Sequence, residues 1–167
     1  VNSELERLAA AESARASQAS YREIFEASED AIFVHDWGTG AILDANPQAC
    51  ATFGYTRDEL LRVRLGDISS GEPPYTETEG LRWIERAKTD GSVRFEWHRR
   101  SKDGSLHWDE VHLKSAQIGG CRRILAFTRE FTERKHAEEA LRASEEQYRA
   151  VFNASADALV LWNSRSE

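Results

Sequence analysis

Cysteine is nearly absent from this chain: its 167 residues include two, Cys50 and Cys121, with no CxxC pair. Two thiols so far apart build neither a disulfide framework nor a cysteine zinc site, and they fit a reducing setting. Also missing is any apolar run near the roughly 18 residues of a membrane span, and Val1 opens no signal-peptide pattern. The expected location is cytoplasmic, with any membrane attachment left to other parts of a longer protein. A basic excess is lacking too, since 22 Lys and Arg face 29 Asp and Glu for a net charge of -7. A phosphate-binding face needs the opposite sign, so nucleic acid is not an expected partner. There is no phosphate-cradling Gly loop, no activated nucleophile and no metal-ligand constellation, so the chain is not expected to be an enzyme. What remains is 40% hydrophobic and 31% charged, the composition of about one globular domain with extra helix at its ends.

The clearest local signal is Asp103-Gly104, between two strand-like runs. Ser92 to Trp97 alternates apolar and polar residues, and Leu106 to Leu113 is rich in aromatic and β-branched ones. Asp-Gly between such runs predicts a hairpin with a type I′ turn. Arg99, Arg100 and Lys102 beside the tip form a small basic cluster that reads as a solvated turn. Upstream, Val1 to about Ser28 is rich in Ala, Glu and Arg without Pro or Gly, which predicts a helix. Leu5 and Leu8 start a thin apolar seam that reaches Tyr21, Ile24 and Phe25, while Ser20 with Glu23 forms a capping-box pattern and so predicts a break. So narrow a seam asks for a partner helix or the face of a sheet.

Ala31 to Asp36 and Ala41 to Ala45 read as strands on either side of Gly38-Thr39-Gly40. Asn46-Pro47 opens a helix that stops at Gly54, Thr56 with Glu59 opens a second, and Thr76 with Glu79 opens a third that Gly91 ends. Gly119-Gly120 then turns into a fifth strand, Cys121 to Phe131. From Thr132 the pattern becomes helical, with Ala137, Leu141, Ser144, Tyr148 and Val151 on a heptad seam. The predicted fold class is α+β: a five-stranded antiparallel sheet flanked by short helices, with helices at both termini.

An internal repeat sharpens this. Tyr148-Arg149-Ala150-Val151-Phe152-Asn153-Ala154-Ser155-Ala156-Asp157-Ala158 echoes Tyr21-Arg22-Glu23-Ile24-Phe25-Glu26-Ala27-Ser28-Glu29-Asp30-Ala31 in register, and Arg-Ala-Ser precedes both copies, at Arg15 and Arg142. The echo predicts one complete module followed by the first helix and strand of a second, cut from a longer tandem protein. The order and spacing of Tyr21, Phe25, Ser28-Glu29-Asp30-Ala31-Ile32, Asn46, Phe53-Gly54-Tyr55, Glu59-Leu60, Lys102-Asp103-Gly104 and Thr132-Glu133-Arg134-Lys135 resemble a PAS sensory-box domain with its C-terminal PAC motif. The expected boundaries are a linker helix over 1-20, the PAS/PAC domain over 21-132, a heptad linker helix over 133-147 and the beginning of a second repeat over 148-167.

That resemblance implies a sheet cupped by short helices, often around a small molecule. It also implies signalling through terminal helices, usually in dimers of sensor histidine kinases, nucleotide cyclases or related regulators. The family usually ends its last strand with Asp-Ile-Thr, whose acid and hydroxyl help to latch strand to linker; here Glu130-Phe131-Thr132 stands instead, with an acid one methylene longer. The cofactor is left unknown. The heme-binding branch carries a His on the helix before the third strand, where this chain has Leu81-Arg82-Trp83-Ile84-Glu85-Arg86-Ala87. The photosensory flavin branch carries a reactive Cys where this chain has Gly71-Glu72-Pro73-Pro74-Tyr75, and Cys50 reads as a small packed thiol. Both comparisons argue against those cofactors, without excluding a non-covalent flavin.

Pocket-lining candidates, drawn from several elements at once, are Ile32, Val34, Phe53, Ile68, Trp83, Ile84, Phe95, Trp97, Leu113 and Ala126. Relay candidates are Glu130, Thr132, Arg134 and Leu141, and a homodimer seam is expected at Leu5, Leu8, Tyr21 and Tyr148. Asn46 reads as a helix cap, and His35, His98, His107 and His112 read as polar or solvent-facing rather than as metal ligands. A signal-input module and a ligand-free dimerisation spacer are the two functions that these features leave open.

Overall fold

A computed structural model describes residues 2-164, and the side chains of residues 3-153. Two compact units divide the chain, residues 1-130 and residues 131-167.

The first unit runs α1 (Asn2–Ala27), β1 (Ala31–Asp36), β2 (Ile42–Ala45), α2 (Pro47–Phe53), α3 (Arg57–Leu60), α4 (Glu77–Asp90), β3 (Ser92–Arg100), β4 (Leu106–Ile118) and β5 (Cys121–Glu130). The strands form one sheet in the order β2-β1-β5-β4-β3, with every pairing antiparallel. The short helices begin and end where the sequence predicts. Asn46 caps α2, Pro47 fills its first turn and Gly54 closes it at φ 77. Thr56 and Glu59 complete a reciprocal capping box on α3, and Thr76 accepts from the Glu79 amide at the head of α4.

Apolar residues fill both faces of the sheet. On one, Phe33, Ile124, Ala126, Val111 and Leu113 pack beneath α2, α3 and α4. On the other, Ile32 and Val34 pack with Leu125, Phe127 and Ile118 under Phe25 and Tyr21 from the last turns of α1. Tyr21, expected in the dimer seam, stacks on Phe25 at 5.6 Å between ring centroids and is half-buried in this cover. Ile24, on the opposite side of that helix, is 73% exposed. The predicted break near Ser20 is not taken; α1 is continuous because its Ala- and Glu-rich sequence favours helix at every position around it.

The Asp103-Gly104 turn also differs from expectation. The loop that joins β3 to β4 has three central residues, Lys102, Asp103 and Gly104, closed by Ser101 N–H to Ser105 O at 2.9 Å. Gly104 N–H donates to Ser101 O at 2.9 Å, and only Gly104 takes positive φ, at 87°. This is a type I turn followed by a left-handed glycine, the three-residue alternative to a type I′ turn. Asp103 stays right-handed because its carboxylate accepts from the Ser105 amide and hydroxyl.

The second unit is α5 (Thr132–Ser164). Where the sequence predicts a strand beyond Asp157, the described backbone continues α5 to Ser164.

Asn46 ties three elements together and is fully buried. Its Oδ1 accepts from Ile32 N–H and Ala49 N–H, both at 2.9 Å, and its Nδ2 donates to the carbonyls of Phe25 and Asp30, both at 3.0 Å. Thus the end of α1, the start of β1 and the head of α2 share one side chain. Asn46→Ala is expected to cost about 3 kcal/mol in urea unfolding. Asn46→Asp caps isolated helices equally well, yet it should also destabilise, because it faces two carbonyls with an oxygen; equal stability for Asp and Asn would contradict the assigned geometry.

Candidate functional site

Between the sheet and the helices α2 to α4 lies a cavity of about 70 Å³. Its wall is mostly apolar: Phe33, Phe53, Leu65, Ile68, Ile84, Phe95, Trp97, Val111, Leu113 and Ala126, together with Gly80. His35, Ser69, Asp109 and Thr128 are the polar members. Sites that enclose a drug-sized ligand occupy roughly 300–1,000 Å³, so this one fits a far smaller molecule.

Phe53, Ile68, Ile84, Phe95, Trp97, Leu113 and Ala126 come together here as the sequence places them. Three other candidates stand elsewhere. Ile32 and Val34 point to the opposite face of the sheet, beneath Phe25, and Phe33 and His35 take the cavity side. The side-chain period of a strand is two, so a slip of one residue reverses the whole set. In β1 both faces are covered and five consecutive residues are buried, so alternation gave no phase. Trp83 stacks on Phe95 at 4.3 Å, behind the lining, with Arg86 over its outer face at 5.4 Å.

Arg99 is buried, contrary to the expected solvated turn, and of the two readings of His35, polar or solvent-facing, the buried polar one holds. His35 is 4% exposed, and its Nδ1 lies 2.9 Å from the Gly40 carbonyl. A carbonyl only accepts, so Nδ1 carries the hydrogen and Nε2 is an acceptor. Burial lowers the His35 pKa below its ordinary 6.5, with the bond to Gly40 opposing. The other three strand histidines have separate partners. His98 stacks on Trp108 at 4.5 Å, His107 Nδ1 meets Glu130 Oε1 at 2.8 Å and His112 Nε2 meets the Ser92 hydroxyl at 2.7 Å. Among the described residues no three His, Cys, Asp or Glu side chains gather as metal ligands.

Arg99 is wholly buried. Its Nε–H donates to Asp109 Oδ2 at 2.6 Å, Nη1 to the Thr52 carbonyl at 3.0 Å and to the Ser101 hydroxyl, and Nη2 to Glu130 Oε2 at 2.8 Å. The guanidinium also lies over the Phe53 ring at 4.8 Å. Asp109 and Glu130 are directly opposed across β4 and β5, a like-charge pairing that a sheet tolerates only with a cation between. Burial raises the Asp109 pKa, Arg99 pulls it back, and the Glu130 charge raises it further. Asp109 Oδ1 has no hydrogen-bond partner. The signal for this network lies in β3 itself: Phe95 and Trp97 line the cavity, and Arg99 continues their alternation onto the same face. Arg100 bonds the Ser70 carbonyl instead, and Lys102 reaches Glu59 at 2.7 Å.

Cys50, on α2, packs against the core outside the cavity lining, and burial raises its thiol pKa, which disfavours the reactive thiolate. Of the relay candidates, Glu130 belongs to the Arg99 network, Thr132 opens α5, and Arg134 lies over Phe131 at 4.8 Å and 3.6 Å from Glu138. Leu141 and Tyr148 are exposed by 62% and 73%, and Leu5 and Leu8 by 61% and 59%.

An antiparallel sheet in this order, walled on one face by short helices around a small chamber, is the architecture of the PAS sensory domains. Residues 19–88 match the PAS domain family, and this stretch of the chain is a PAS domain. A domain of the sensory box sensor histidine kinase/response regulator from Geobacter sulfurreducens superposes with a TM-score of 0.58 at 29% identity, covering 68% of this chain and 93% of that one. Sporulation kinase E of Bacillus subtilis is 30% identical over 151 residues, 89% of this chain. The methyl sulfide methyltransferase-associated sensor of Methanosarcina acetivorans is 27% identical over 147 residues, 88% of this chain. The chain spans only 19% and 14% of those two relatives' own lengths. Among the described residues no helix is long and apolar enough to cross a membrane.

Two measurements test the buried charges. Arg99→Met leaves Asp109 and Glu130 facing one another and is expected to lose about 3–5 kcal/mol in denaturant unfolding. Adding Asp109→Leu should return most of that loss; a double variant as unstable as the sum of its singles would disprove the pairing. For His35 the lowered folded pKa means that the unfolded chain binds the extra proton. Its contribution to stability is complete above pH 6.5 and declines as the pH falls below that value. Between about pH 7.5 and about pH 5.5 the wild type should therefore lose more stability than His35→Gln, and parallel profiles would count against a neutral buried imidazole.

Proposed function

We propose that this PAS domain is a signal-input module: a small molecule in the cavity biases the Arg99 network, and the bias passes through Glu130 to the helix that follows. The observation that supports it most is chemical continuity. Asp109 lines the cavity, Arg99 bonds Asp109, and Glu130, bonded to Arg99, is the last residue of β5. A ligand that changes the balance of charge at Asp109 changes what Arg99 offers Glu130. Only a difference in affinity between two states does useful work in such a relay, and coupling of about 1–3 kcal/mol, roughly 5- to 150-fold, is the common range.

The proposal extends to assembly and context. The exposed Leu5 and Leu8 on α1, and Leu141, Tyr148 and Val151 on α5, suit helix-to-helix pairing in a homodimer. The likeness of residues 148-158 to residues 21-31 supports a tandem arrangement, and the relatives named above favour a sensor histidine kinase as the whole protein, ahead of a nucleotide cyclase. The same exposed residues favour a second function, a ligand-free dimerisation spacer.

Gly80 separates the two. A Cβ there would make only ordinary contacts, 3.6 Å from Leu65 and 3.7 Å from Trp97, so Gly80→Leu fills the cavity without forcing the backbone. In a thermal-shift screen against small metabolites, at least one compound should stabilise the wild type, by about 2.7 kcal/mol at a hundredfold excess over its Kd. Gly80→Leu should abolish that gain and keep the dimer seen by sedimentation, whereas Leu141→Glu should keep the gain and weaken the dimer. No stabilisation by any compound, with dimerisation lost in Leu141→Glu, would establish the spacer instead.

A further inference from the structure

Of the four polar side chains on the cavity wall, Asp109 and His35 can only accept from a guest, Ser69 has given its hydrogen to the protein, and the Thr128 hydroxyl can give or take, so acceptors outnumber donors. Asp109 is 1% exposed and lines the cavity. Arg99, which occupies Oδ2, does not line it, and Oδ1 is left with no partner in the protein. Buried polar atoms are nearly always hydrogen-bonded, so an orphaned carboxylate oxygen at a cavity wall calls for an explanation. His35 adds a second acceptor, because its hydrogen is committed to the Gly40 carbonyl and Nε2 keeps a lone pair. Ser69 adds no donor, since its hydroxyl hydrogen goes to Leu65 O at 2.6 Å, and one of its lone pairs already accepts from Trp97 Nε1–H at 3.2 Å.

We propose that Asp109 Oδ1 is a ligand-binding atom and that the cavity selects a small molecule with an apolar body and a neutral hydrogen-bond-donating head, a short alcohol being the simplest example. This inference rests on the signal-input reading and names the chemistry of its ligand. Size follows from volume. At about 70 Å³ the cavity is a small fraction of the roughly 300–1,000 Å³ of a drug-sized site, so its guest has only a handful of non-hydrogen atoms. Donor character follows from the two acceptors. Neutrality follows from desolvation: an ammonium would have to shed its water to enter this mostly apolar chamber, a cost that a neutral hydroxyl largely avoids. Phe33, Phe53 and Val111 supply the apolar surround for the body.

Three probes of equal size separate the alternatives: 2-propanol donates, acetone only accepts, and isopropylammonium donates with a charge. Titration of the full chain, followed by amide and Trp97 indole shifts in nuclear magnetic resonance, should give saturable changes at Asp109, Val111 and Leu113 with 2-propanol. Its Kd should be lower than that of either other probe by about tenfold. Asp109→Asn should invert the order, because its oxygen can keep the Arg99 bond while its NH₂ turns a donor toward the cavity, so acetone should then win.

Equal binding of 2-propanol and acetone by the wild type would overturn donor selection while leaving the cavity a receptor. Preference for isopropylammonium would overturn the neutral head. If none of the three saturates although a compound from the metabolite screen binds, the proposal falls and the signal-input reading stands. If neither the probes nor the screen gives binding, both fall. The wild-type ranking needs no variant, so it decides the matter even where Asp109→Asn does not fold.

Discussion

The opposition of Asp109 and Glu130 across β4 and β5 is the constraint to which much of the domain answers. Two carboxylates directly across a ladder repel, and one of them is buried. The sheet keeps this register because Arg99 reaches both from β3, with its remaining N–H groups held by the Thr52 carbonyl at the end of α2 and the Ser101 hydroxyl at the hairpin turn. One planar, permanently charged group thus connects three strands, a helix end and a loop. Lysine cannot replace it, since a single ammonium lacks the fork that serves four acceptors. Buried ion pairs are poor sources of net stability compared with apolar packing. What this one contributes is specification: it fixes the end of β5 relative to the cavity wall.

Asn46 performs the same kind of work with neutral groups. It fixes where α1 ends, where β1 begins and where α2 starts, so the cover of one face and the wall of the other are set by a single side chain. The two polar anchors lie at different places in the fold. Asn46 holds the N-terminal entry, and Arg99 holds the C-terminal exit, and the apolar cavity lies on the sheet between the strands that they fix. The strands and helices around that cavity are thus tied by side-chain hydrogen bonds at both ends.

Elements that depend on local chemistry were legible in the sequence. Caps at Asn46, Thr56 and Thr76 and the stops at Gly54 and Gly91 mark their helices because the satisfied backbone groups lie within a few residues. Features that depend on what covers a surface were not. The phase of β1 was hidden because α1 buries the face that alternation would have left polar. The contact of the Tyr21 ring with Phe25 above the sheet is likewise set by what α1 covers. Arginine beside a turn is usually at the surface, whereas the alternation that turns Phe95 and Trp97 inward carries Arg99 with them. The hairpin turn shows the limit of dipeptide signals. Asp-Gly marks where the chain reverses, but the contacts of Asp103 with Ser105 decide how.

The cavity itself is a product of small residues. Gly80, Ser69 and Ala126 line it where larger side chains would close it, and Gly80 does so within α4, where glycine costs about 1 kcal/mol relative to alanine. Its φ is not in the left-handed region and an added Cβ would meet no clash, so neither backbone geometry nor close packing requires glycine there. The same holds for Asp109, where an apolar residue would remove both the opposed charge and the orphaned oxygen. A domain serving only as a spacer has no use for either feature, since each weakens the fold that a spacer must supply. Both have a use if the space and the free oxygen are kept for a guest.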